Sequence, residues 1–298
     1  MKEGTTTRLA TLALLGMAAM WGSTFFLIKD LSDRISALDF LAVRFPIATV
    51  ALVVLFPRAL GRLSGRSLRK ATVLGVLYAG AQVAQTVGLA HTPASVSGFI
   101  TGLYVVCTPL LAALLLHSRI GRLTWLAVTM AIAGITVLTL QPSGLAFGYG
   151  EAITLVSAVI YALHIVGLGA WSRKEEAMGM AIVQLAVISV VCFIGAVPNG
   201  ITVPDNERDW LSIVYMAVGA GALAMAGQTW AQAHLTATRS AIIMSMEPVF
   251  AAFFAVLAGG EHLTPRLLTG GLLVFGAMLV VELMPRRKIE GEVTHIAV

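Results

Sequence analysis

The chain has 298 residues, 58% of them hydrophobic and only 12% charged, with a mean hydropathy of +0.88. Ordinary soluble domains carry about 25% charged residues, so this composition excludes a soluble globular protein and identifies an integral membrane protein. The net charge of +5 and pI near 9.5 raise the question of a nucleic-acid partner, which the placement of the basic residues answers.

Ten apolar stretches follow one another, each near the ~20 residues that a helix needs to cross ~30 Å of hydrocarbon. The first, 9–28, is too long for a signal peptide and lacks a small-residue cleavage site, which predicts a retained helix. The second, 40–56, contains Arg44, whose long side chain is expected within reach of the outer headgroup region or an internal acid. The stretches 71–90, 92–116 and 123–141 complete the first half and carry no Asp, Glu, Lys, Arg or His. In the second half, 152–172 carries His164, 177–204 and 210–233 again carry none of these, 240–260 carries Glu247 and 267–285 carries Glu282. No period-2 alternation marks a membrane barrel, so helices are the remaining way to satisfy the backbone in lipid.

With ten helices and both termini cytoplasmic, fifteen of the twenty Lys and Arg residues fall on inside segments, including Arg58, Arg62, Arg66, Arg69 and Lys70. Only Lys29, Arg34, Arg208 and Arg266 fall outside. The basicity therefore reflects membrane orientation, and no nucleic-acid partner is expected. Cys107 and Cys192 both lie inside spans and read as small packing residues. The tail after Pro285 reads as short, polar and disordered.

"QTVGLAH" at 85–91 recurs as "QTWAQAH" at 228–234, and the same offset of 143 sets Ala94 on Ala237, Ser97 on Ser240 and Ala112 on Ala255. Earlier in each half an offset of 140 sets Trp21 against Tyr161 and Arg44 against Gln184. The chain thus divides into two five-helix repeats, 1–141 and 142–298. Five is odd, so the second repeat crosses the membrane in the opposite sense, the inverted plan that places a substrate site at the repeat interface near mid-membrane.

Helical spacing nominates the cavity-lining residues. Tyr78, Gln82 and Gln85 share one face of the third helix, and Met225 and Gln228 share the matching face of the eighth, with Gln232 one turn on. Trp21 and Thr24 in the first helix map onto Tyr161 and His164 in the sixth, and Thr101 and Tyr104 in the fourth map onto Met244 and Glu247 in the ninth. An amide left unpaired in hydrocarbon costs several kcal/mol, so each Gln needs a partner in protein, water or substrate. Threonine hydroxyls can bond their own backbone and Trp21 can simply pack. Gly98 and Gly102 form a GxxxG pair that reads as tight internal packing ahead of dimerisation. Glu247 faces three readings: a counter-charge for a substrate amine or for Arg44, a proton-coupling site, or a structural acid hydrogen-bonded at a kink made by Pro248. The set is rich in rings and amides and poor in fixed charge, which suits a small neutral or zwitterionic solute. A phosphorylated cargo would need Lys or Arg at that depth, and none lies in these stripes.

"MWGSTFFLIK" in the first helix, "LAVRFPIA" in the second, "EPVFAAFFAVLAGGEHL" in the ninth and the glycine-rich tenth resemble the EamA-type branch of the drug/metabolite transporter superfamily, from about residue 10 to 285. The resemblance implies an all-α integral membrane fold, ten transmembrane helices in two inverted repeats around a central cavity. It also implies a multi-pass protein of the cytoplasmic membrane that exports amino acids or other small metabolites by alternating access, and the ring-rich lining adds the expectation that apolar and aromatic amino acids are among them. A small-molecule substrate and the lipid bilayer are the expected partners, and no cofactor or metal is expected. The working unit is expected to be a monomer or weak homodimer. One departure stands out: "GGEHL" in the second half faces "HSRI" in the first, so Ser118 sits where an acid matches Glu261. A lipid-carrier flippase or an accessory transport subunit is the alternative within the superfamily. A membrane-embedded enzyme would need a nucleophile and base, an HExxH-like metal set or paired acids within the spans, and none of these patterns occurs.

Overall fold

The computed structural model describes residues 2–115, 121–141, 144–172, 175–232, 234–235 and 237–283. Ser118, the tail after Pro285 and the Gln232 side chain lie outside the described residues. The helices are α1 (Lys2–Leu31), α2 (Ala37–Leu55), α3 (Gly65–Ala90), α4 (Ala94–Gly102), α5 (Tyr104–Leu115), α6 (Arg122–Thr139), α7 (Tyr149–Trp171), α8 (Ala177–Ala196), α9 (Glu207–Val214), α10 (Ala224–Gln232), α11 (Ala237–Met244), α12 (Glu247–Leu257) and α13 (Pro265–Leu283). A π-helical stretch, Tyr215–Leu223, joins α9 to α10, and two-residue strands Leu140–Gln141 and Gly144–Leu145 pair antiparallel between α6 and α7. Among the described residues, nine helical segments are long and apolar enough to cross a membrane, and the shorter apolar helix Ile242–Leu257 supplies the tenth span.

Polar residues start several helices where the chain enters them. Ser36 accepts from the Asp39 amide, Ser64 from Ser67 at 3.1 Å and Asn206 from Asp209 at 2.9 Å, each satisfying one of the free N–H groups of a first turn. The fourth and ninth spans are both broken. The fourth stops at Leu103, between α4 and α5, and the ninth stops at Ser245 and Met246, between α11 and α12. Pro248 falls in the first turn of α12, where its missing N–H costs nothing, so the expected kink is a restart of the helix and Glu247 sits at its N-terminus. The fourth span breaks at the matching position with no proline beside it.

Packing interleaves the halves. α3 lies on α7 and α8, α1 on α12 and α10, α2 on α8 and the π stretch, α6 on α13, and α4 on α12. Several contacts have repeat counterparts: α3 with α7 corresponds to α10 with α1, α4 with α7 to α11 with α1, and α5 with α7 to α12 with α1. Glycines let these pairs approach. A methyl group on Gly98 would stand 2.6 Å from the Ala251 Cβ, and one on Gly102 would stand 3.2 Å from Pro248 Cγ. The GxxxG pair therefore seats α4 against α12 inside the chain. Cys192 is buried and Cys107 partly buried, both as free thiols.

Candidate functional site

A cavity of about 320 Å³ lies between the halves. All thirteen residues nominated from the sequence line it. Trp21 and Thr24 enter from α1, Tyr78, Gln82 and Gln85 from α3, Thr101 from α4, Tyr104 from α5, Tyr161 and His164 from α7, Met225 and Gln228 from α10, Met244 from α11 and Glu247 from α12. The two residues that restart the broken helices, Tyr104 and Glu247, therefore both present their side chains to the cavity, as the interrupted helices of transporters do.

The polar groups are largely bonded to one another, mostly within each repeat and once between them. Tyr161 Oη donates to Gln85 Oε1 at 3.0 Å, and Gln85 Nε2 reaches Thr101 Oγ1 at 3.4 Å, so one amide links α3, α4 and α7. Gln82 Nε2 donates to Tyr78 Oη at 3.1 Å. Gln184 Nε2 donates back to the Met180 carbonyl at 3.1 Å, which leaves its Oε1 to accept from His164 Nε2 at 2.6 Å. Gln228 has a weaker partner, the Met244 sulfur at 3.5 Å. The Tyr78 ring stacks on His164 at 5.3 Å and meets Tyr161 at 6.1 Å, and Tyr104 meets Tyr161 edge-on at 6.4 Å.

Trp21 does more than pack. Its Nε1 donates to the Ala220 carbonyl at 2.7 Å, within the π-helical stretch, where single-turn irregularities often mark functional positions. The Thr24 hydroxyl bonds its own helix at the Trp21 carbonyl, 2.8 Å away, as short hydroxyl side chains can.

Two cavity residues were not legible from the helical stripes. Gln184, the repeat partner of Arg44, lines the cavity from α8, and Arg44 lines it from α2. The expectation that Arg44 meets a headgroup or an internal acid is corrected. Its side chain is buried, with 7% of the residue exposed, and it forms no ion pair among the described residues. The reason is packing: α2 is enclosed by α8, α3 and the π stretch, so the guanidinium cannot reach lipid headgroups. The cavity consequently holds a basic side chain, Arg44, as well as the acid Glu247, where the stripes alone gave only the acid.

Beyond the cavity, at the end of the bundle where α1 turns into α2, two further contacts tie the halves: Arg34 pairs with Asp209, and the Glu261 carboxylate accepts from the Ser95 hydroxyl and, at 3.3 Å, from the Ser95 amide. Within the first half, Lys29 Nζ donates to the Ala90 carbonyl at 2.7 Å. At the opposite end the lining continues to Ser172, Ala177 and Met178, so the cavity extends towards the end where α7 passes into α8.

A membrane bundle of two interleaved helical repeats with a polar cavity at their interface is the architecture of a secondary transporter. The family model described as "EamA-like transporter family" matches the chain twice, at residues 8–140 and 148–283. The chain belongs to the EamA-like transporter family. It is 30% identical over 281 residues to an uncharacterized transporter of Archaeoglobus fulgidus, covering 94% of this chain and 88% of that protein. It is 25% identical to the pseudopaline exporter CntI of Pseudomonas aeruginosa over 86% of this chain and 89% of that one. It is 22% identical to the uncharacterized inner membrane transporter YedA of Escherichia coli, over 90% and 89%. A protein of known crystal structure shares the fold at a TM-score of 0.63 and 20% identity, covering 92% of this chain and 96% of that one.

Proposed function

We propose that this transporter exports small zwitterionic metabolites, foremost amino acids with apolar or aromatic side chains, by alternating access through the cavity between its repeats. The observation that carries this reading is the composition of the lining: aromatic rings from α1, α3, α5 and α7, amides from α3, α8 and α10, and one fixed charge of each sign. Rings and methionines accept an apolar side chain, and the amides and charges orient a polar backbone. A substrate of this size and polarity needs no cofactor to move, only two conformations that expose the site to opposite sides.

Orientation follows from charge. Arg58, Arg62, Arg66, Arg69 and Lys70 lie at the end of the bundle towards which the cavity extends, and the positive-inside rule assigns that end to the cytoplasm. A cavity facing the cytoplasm is the loading state of an exporter. Export also agrees with the name of the Pseudomonas relative, an exporter, and residence in the cytoplasmic membrane with that of the Escherichia coli relative, an inner membrane transporter. The repeats 1–141 and 142–298 are the bodies that rock, and their interleaving argues that neither folds alone; the working unit is a monomer or weak homodimer in the bilayer.

The test is a thermal-shift screen of purified protein against amino acids, followed by counterflow in proteoliposomes with those that bind. A ligand specific for the folded state raises stability by RT ln(1 + [L]/Kd), about 2.7 kcal/mol at a hundredfold excess over Kd. Stabilisation by phenylalanine or leucine together with saturable counterflow is the expected result. A screen in which no amino acid shifts the melting point, while another chemical class does, would replace the proposed cargo.

A further inference from the structure

Arg44 has five N–H donors in a planar fork, and among the described residues none of them has a hydrogen-bond acceptor or an ion-pair partner. Its Nε is fully buried without a hydrogen-bond partner, and the ring faces of Phe40 and Phe45 lie 5.7 and 5.3 Å from the guanidinium carbon. Ring faces attract a cation but satisfy no N–H. A buried arginine left in this condition is costly unless a partner arrives, and the open side of Arg44 is the cavity wall.

The surroundings narrow what that partner is. Glu247 borders the same cavity, yet it forms no ion pair with Arg44 and no hydrogen bond among the described residues, so the acid and the base of one cavity leave each other free. Each charge is confined to one half. The repeat partner of Arg44 is Gln184, bonded to His164, and the repeat partner of Glu247 is Tyr104. Arg44 is the eighth residue of α2, about 10 Å from its start at 1.5 Å per residue, whereas Glu247 stands at the break of the ninth span. The two charged side chains therefore come from different halves.

We infer that Arg44 is the carboxylate-recognition residue of the cavity, taking a substrate carboxylate on its guanidinium fork while Glu247 takes the substrate amine. This rests on the zwitterion-export reading above and makes it specific: the cargo needs both an anionic and a cationic group, and the anion is a planar carboxylate that fits the two-pronged geometry of a guanidinium. A single cation at this site, beside a carboxylate, disfavours a doubly charged phosphate ester.

The experiment measures binding of L-phenylalanine, L-phenylalaninamide and 3-phenylpropanoate to the purified full chain by calorimetry, and counterflow in proteoliposomes. It compares wild type, Arg44→Gln and Arg44→Lys, each first shown to melt cooperatively. Wild type is expected to prefer phenylalanine over its amide at least tenfold. Arg44→Gln should erase that preference by weakening phenylalanine while leaving the amide nearly unchanged, and Arg44→Lys should keep part of it. If Arg44→Gln still discriminates phenylalanine from the amide, the assignment fails while amino-acid transport stands. If the variant loses the amide as strongly as the acid, Arg44 is a structural residue and the assignment again fails. If wild type takes none of the three probes, the amino-acid reading itself falls and the assignment with it.

Discussion

Arg34 grips Asp209 through two parallel hydrogen bonds, Nε to Oδ2 and a terminal nitrogen to Oδ1, both at 2.8 Å, and so ties the first repeat to the second at one end of the bundle. The bonds to Asp209 and then to Asp30 raise the Arg34 guanidinium above its ordinary value. At the other end the repeat-related positions form a different bond: Glu176 accepts from the Ser67 hydroxyl at 2.7 Å and from the Ser64 amide at 3.2 Å. Ser64 and Ser67 lead α3 as Asn206 and Asp209 lead α9. Both ties are present in this conformation, where each acts as a strut between the halves.

Arg34→Gln leaves the Asp209 carboxylate, whose side chain is 3% exposed, without its charge partner. A buried acceptor deprived of its donor costs about 1–3 kcal/mol. The melting temperature of the purified variant should fall, and Arg34→Leu combined with Asp209→Leu should recover part of the loss, because a matched apolar pair leaves no orphan charge. A double variant less stable than the sum of the singles would contradict the strut.

The two glutamines should separate in their effects. Gln85 joins three helices through Tyr161 and Thr101, so Gln85→Leu should lower stability by about 1 kcal/mol as well as impair transport. Among the described residues Gln228 meets only the weak acceptor sulfur of Met244, so Gln228→Leu should impair transport with the melting temperature nearly unchanged. Melting curves and proteoliposome flux measured on the same preparations test this, and equal thermal losses for both would show that the amides share one structural task.

Gly98→Ala inserts a methyl group 2.6 Å from the Ala251 Cβ. Overpacking of this kind costs about 1–3 kcal/mol. Ala251→Gly in the same chain should restore most of it, measurable as recovery of the melting temperature. Absence of rescue would mean that α4 and α12 adjust around the methyl group by another route.

Orientation is tested by single cysteines in a background with Cys107 and Cys192 replaced by Ala. Asp205→Cys, on the exposed connection before α9, should react with an impermeant thiol reagent in intact cells, and Gly61→Cys, where no atom lies within 4 Å of an added Cβ, should react only after permeabilisation. The reverse pattern would invert the charge-based orientation.

Much of this molecule was legible in one dimension. Membrane residence follows from composition, because hydrocarbon admits long uncharged runs and little else. The duplicated Gln-Thr segments and the offsets of 140 and 143 brought thirteen positions to one cavity, because a repeat interface places equivalent faces opposite each other. The π-helical stretch that gives Trp21 its acceptor, and the break at Leu103 with no proline beside it, left no mark in the sequence, since both depend on which helices press against those backbones. Arg44 is the sharpest case. Its presence in an apolar run was plain, but whether it reached a headgroup, an acid or open space was decided by α8, α3 and the π stretch closing around α2. A sequence fixes which charge must be accommodated, and only the packing of distant helices decides what it faces.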